Sequence, residues 1–153
     1  MRFLISAIVA LCLSALAGAA QAQTYGQGVP VTDPDAYAAN LALRISRERM
    51  APIREVFLQF LGADVLDPTN EAAVVTYERF LEGMAIDQFS EIEDAALSNT
   101  IRRIYYLHSF SGRYLFTRYD FVRDSRGWNL TGVSFGSSWQ QVAGQSSPGW
   151  VQQ

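Results

Sequence analysis

The 153-residue chain holds one cysteine, one histidine and no lysine. Cys12 lies in an apolar N-terminal run, so the rest of the chain has no thiol. That excludes disulfide staples, thiol nucleophiles and Cys-ligated zinc from it. His108 alone cannot assemble a His/Cys zinc site, and no metal or cofactor is expected. All twelve basic residues are arginine and the formal net charge is −3, which weighs against a nucleic-acid partner. No apolar run reaches the roughly 20 residues that a helix needs to cross a bilayer.

The longest such run, Phe3 to Leu16, follows Arg2 and precedes the small-x-small triplet Ala20-Gln21-Ala22. A charged n-region, a short apolar h-region and such a triplet form a secretory signal peptide, here spanning 1–22 and cut after Ala22. Leu11 before Cys12 is not the small residue that lipid attachment prefers, so no lipid anchor is expected. The mature chain has eleven arginines against fifteen acidic residues, a net charge of −4. Its expected location is periplasmic or secreted, and its length suits one domain rather than two.

Charge is unevenly placed. Ala63 to Leu97 holds nine acidic residues and only Arg79, whereas Ile101 to Arg126 holds six arginines against Asp120 and Asp124. The acidic set includes Glu71, Glu78, Glu82, Asp87, Glu91, Glu93 and Asp94; on a helix these read as solvated surface and no chemistry is assigned to them.

Residues 23–31 are punctuated by Gly and Pro and read as a flexible lead-in. Asp33-Pro34 then opens a helix, with Asp33 as N-cap and Tyr37, Leu41, Ile45 and Met50 at helical spacing. Pro52 restarts a second helix along Ile53, Val56, Phe57 and Phe60, stopped by Gly62. Asp67-Pro68 opens a third along Val74, Tyr77 and Leu81, ending near Gly83. Ser90-Glu91-Ile92-Glu93 has capping-box spacing and predicts a short fourth helix to Leu97.

From Ile101 the texture turns aromatic and β-branched, and three antiparallel strands are predicted at about 101–110, 113–123 and 128–137. Ser111-Gly112 forms a two-residue hairpin loop and Asp124-Ser125-Arg126-Gly127 a turn with Gly127 left-handed. That loop sets Phe110 opposite Arg113, His108 opposite Leu115, Tyr106 opposite Thr117, Ile104 opposite Tyr119 and Arg102 opposite Phe121. This face should meet the helices. The other carries Leu107, Phe116, Tyr105, Arg118, Arg103 and Asp120, with Arg103 directly across from Asp120.

The fold class read from this order is α+β: three to four N-terminal helices packed on a C-terminal three-stranded antiparallel meander. The domain occupies 32–139, and 140–153, Gln-rich with Ser-Ser-Pro-Gly, is predicted disordered. Tyr119-Asp120-Phe121-Val122-Arg123 followed by Gly127-Trp128-Asn129-Leu130 resembles the closing hairpin of NTF2-like (cystatin-like) domains. The resemblance implies a reduced cone with a pocket between helices and sheet, used for ligand binding, dimerisation or catalysis.

Gly132-Val133-Ser134-Phe135-Gly136 matches the G-x-S-x-G string, but a nucleophile elbow needs a strand-turn-helix and a downstream histidine. Here the glycines are expected to serve strand curvature or close approach of a helix. His108 is a candidate acid or base, yet its flanks suit a packed strand residue. Arg103, Tyr105, Arg118 and Asp120 make the preferred ligand-binding set, because one carboxylate between two arginines leaves a guanidinium edge for an anion. The function expected is a non-enzymatic module that binds a small ligand or a protein. The alternative is a small pocket enzyme using His108 or Asp120 as general acid/base. A homodimer through the outer sheet face is a further possibility, marked by exposed Leu107, Phe116 and Val133.

Overall fold

The computed structural model describes residues 23–84 and 88–144. The expected leader at 1–22, Asp87 and most of the Gln-rich tail lie outside the described residues. The elements are β1 (Gln23–Val31), α1 (Pro34–Glu48), α2 (Ala51–Leu61), α3 (Pro68–Leu81), β2 (Gln88–Ser98), β3 (Ile101–Phe110), β4 (Arg113–Asp124), β5 (Gly127–Gly136) and α4 (Trp139–Ala143).

Helices α1 and α3 begin where their capping aspartates put them. Asp33 Oδ1 accepts from the amides of Asp35 (2.9 Å) and Ala36 (3.3 Å), and Asp67 Oδ1 from those of Thr69 (3.0 Å) and Asn70 (3.2 Å). These contacts satisfy amides that the first helical turn leaves without intrahelical partners. Gly62, at φ 57°, ends α2 in the left-handed conformation that a side chain would resist.

The sheet has five antiparallel strands in the order β1-β5-β4-β3-β2, which overturns the three-stranded meander. The β3–β4 hairpin keeps the expected register, with Arg103 across from Asp120 and His108 across from Leu115. Two strands were misread. Residues 88–98, expected as a helix, form β2 and pair with β3; residues 23–31, expected as a flexible lead-in, form β1 and pair with β5. The class remains α+β, with the sheet larger by one strand at each edge.

The helices α1, α2 and α3 cover the inner face of the sheet. There Ile45, Phe57, Val74, Ile104, Leu115, Tyr119, Phe121 and Val133 are fully buried in one apolar cluster. Tyr77 packs edge-on against Phe135 with centroids 4.9 Å apart, and Tyr37 does the same against Phe121 at 6.4 Å. Val133 belongs to this inner core, not to the outer face where a dimer would have used it.

Among the described residues the outer face has one helical cover, α4. It begins at Trp139 and includes residues 140–143, which were expected to be disordered. Ser138 and Gln141 cap each other reciprocally at its N-terminus. Gly136 lies directly beneath: a Cβ there would stand 2.8 Å from Gln141 Cβ and 3.1 Å from Val142 Cγ2. The second glycine of the G-x-S-x-G string therefore serves helix approach within β5, and no elbow forms.

Candidate functional site

The residues singled out from sequence divide between the two faces. His108 points inward and is fully buried; its Nε2 lies 3.4 Å from Thr117 Oγ1, and Nδ1 has no partner among the described residues. Phe89 stacks over the ring at 6.0 Å. Burial pushes its pKa down to about 4, because a charged imidazole would lose its hydration. The ring is a neutral core group with no exposed surface.

Asp120 lies on the other face. Its Oδ1 accepts from Arg103 Nε at 2.6 Å and its Oδ2 from Arg118 Nε at 3.1 Å. The Asp120 and Arg118 side chains are 12% and 5% exposed, Arg103 24%. Burial works against the Arg103 charge, but Asp120 and Tyr105 outweigh it and hold the guanidinium pKa above the ordinary arginine value. Arg118 Nη1 donates to the Val142 carbonyl at 2.7 Å, near the C-terminal end of α4. The guanidinium edge that the sequence reserved for an anion thus holds a helix carbonyl. Since His108 and Asp120 sit on opposite faces of the sheet, one catalytic cleft cannot contain both.

Tyr105 is buried as well, and its ring lies 4.8 Å from that of Trp139. Trp139 also meets Phe116 edge-on at 6.2 Å. Between α4 and the edge of the sheet these rings leave a cleft of about 260 Å³, lined by Ile92, Glu93, Leu107, Phe116 and Trp139. It is apolar apart from Glu93. A broader, open concavity of about 1020 Å³ runs along the β1, β5 and β4 side of the sheet past Arg123, Trp128, Asn129 and Thr131. There Arg123 lies over the Trp128 ring, its guanidinium carbon 5.8 Å from the centroid.

Sequence reasoning found Leu107 and Phe116 but not Ile92 or Glu93, which it had placed on a solvated helix. No sequence signal placed Trp139, the last residue of the expected domain, over Tyr105. Among the described residues no group of three or more His, Cys, Asp or Glu side chains could hold a metal ion, and no helix is long and apolar enough to cross a membrane. Comparison with family models, curated proteins and solved structures returned no match. The geometry therefore carries the functional reading by itself.

Proposed function

We propose that the protein is an exported, non-enzymatic binding module whose ligand enters the outer-face cleft of Ile92, Leu107, Phe116 and Trp139. One observation carries this: Trp139 is fixed between Tyr105 and Phe116 and still lines an open apolar cleft. A large aromatic held rigid at a surface binds with little loss of rotamer entropy. The cleft lies just below the range of about 300 to 1,000 Å³ usual for small-molecule sites, which suits a compact apolar group or one inserted side chain. In this reading Arg103, Arg118 and Asp120 hold α4 in place, and α4 supplies the wall. Export rests on the leader formed by Arg2, the apolar run and Ala20-Gln21-Ala22.

Mass spectrometry of protein recovered separately from its host's periplasmic and cytoplasmic fractions, in native and denatured form, tests both parts. The expected result is a chain beginning at Gln23 that carries an extra mass lost on denaturation and missing from Trp139→Ala. Full-length 153-residue protein confined to the cytoplasm would overturn export. A bare mass at every concentration would overturn the ligand. A dimer or a co-purified protein whose association survives Trp139→Ala would move the function to another surface.

A further inference from the structure

The cleft contains one charged side chain, and that residue narrows its ligand. Glu93 lies half-buried on the outer face, across from Tyr105 in the β2–β3 pairing. Its neighbours along β2 are engaged. Glu91 accepts from the Tyr106 hydroxyl at 3.2 Å, and Asp94 is held by Arg102, whose Nε lies 2.8 Å from Asp94 Oδ1. Among the described residues the Glu93 carboxylate has neither an ion pair nor a hydrogen bond. Arg103 and Arg118 do not line the cleft and are committed to Asp120 and the Val142 carbonyl.

An aromatic-walled slot with an uncompensated carboxylate discriminates by charge. An anion would be repelled by Glu93, and a neutral apolar ligand would strip water from the carboxylate without replacing its hydrogen bonds. A cation on an apolar stem meets both demands. Its head pairs with Glu93, its stem lies along Ile92 and Leu107, and the faces of Phe116 and Trp139 attract its charge. At about 30 Å³ per water, the 260 Å³ cleft has room for a stem of several carbons with its head.

Building on the cleft as the binding site, we propose that its ligand is an organic cation, a primary ammonium or guanidinium carried on an apolar stem. Two sources present that chemistry: a free amine, and a lysine or arginine side chain of a partner protein.

Isothermal titration of the folded mature protein with n-hexylammonium, 1-hexanol and hexanoate separates charge from apolar fit. Hexylammonium is expected to bind about tenfold more tightly than hexanol, the combined size of one exposed ion pair and one cation–aromatic contact. Hexanoate should bind weakest. Glu93→Gln should cut the preference to the part that the cation–aromatic contact supplies, about threefold, with the melting temperature unchanged, and in the unsubstituted protein added salt should shrink it. Equal binding of hexylammonium and hexanol, both lost in Trp139→Ala, would overturn the cation and keep the cleft. Binding of neither would overturn both. A capped lysine-containing pentapeptide that binds more tightly than hexylammonium assigns the cation to a partner protein, and one that binds less tightly assigns it to a free amine.

Discussion

Asp120 is the residue on which the outer face turns, because one carboxylate neutralises two guanidiniums that have little access to water. Asp120→Asn keeps the shape and removes the charge, leaving Arg103 and Arg118 to be desolvated without compensation. The expected cost is about 3 kcal/mol, read as a lower urea midpoint with an unchanged m-value. His108 makes a second prediction, in pH. Its folded pKa of about 4 lies below the ordinary value of 6.5, so the fold favours the neutral ring. The stability this preserves is fully present above about pH 6.5 and is lost as pH falls toward 4, where the cost approaches about 3 kcal/mol. In His108→Leu that part of the loss between pH 7 and 4.5 should disappear from urea titrations. At this scale the sequence was informative where a turn fixed the register: the two-residue loop at Ser111-Gly112 was enough to put Arg103 across from Asp120. It was uninformative for Glu93, whose position depends on a strand that the local residues do not announce.

That strand is β2, and its neighbours in sequence explain the misreading. Ser90 and Glu93 have the spacing of a capping box, and Glu91, Ala95, Ala96 and Leu97 are good helix formers. Pairing with β3 overrides these preferences, with register shifts between Glu91 and Glu93 and between Ala96 and Ser98 taking up the misfit. β1 was hidden for a different reason. Pro30 cannot donate to a central ladder, but β1 lies at the sheet's edge, where proline is tolerated. Gly28 is there because a Cβ would stand 2.8 Å from Asn129 Cβ on β5. The helices were legible because aspartate caps, N-terminal prolines and Gly62 are local signals. For α4 the decisive contact is Gly136, and Gly136→Ala should push the helix off the sheet at a cost of about 1 to 3 kcal/mol. The displaced Trp139 should show a red-shifted emission, and hexanol binding should be lost; a variant with native emission would show that α4 tolerates the methyl group.

At the level of the whole molecule, the sheet separates two kinds of interior. Its inner face is an apolar core built by three amphipathic helices, with His108 as a neutral member. Its outer face is a smaller polar and aromatic assembly built by one short helix, and the candidate site belongs to that lesser half. This asymmetry explains why α+β character could be read from composition and order while the strand count could not. The core leaves a periodic trace in each helix, whereas the edge strands show themselves only through their partners, β2 through the adjacent β3 and β1 through β5. The most distant partnership is that of β1 with β5, in which Gln23 meets Ser134. A strand at the start of the described chain that pairs only with one near its end has no template while the protein is being synthesised. Native topology therefore cannot close until β5 has left the ribosome. Until then the exposed face of α2, which packs against β1, must wait for its cover.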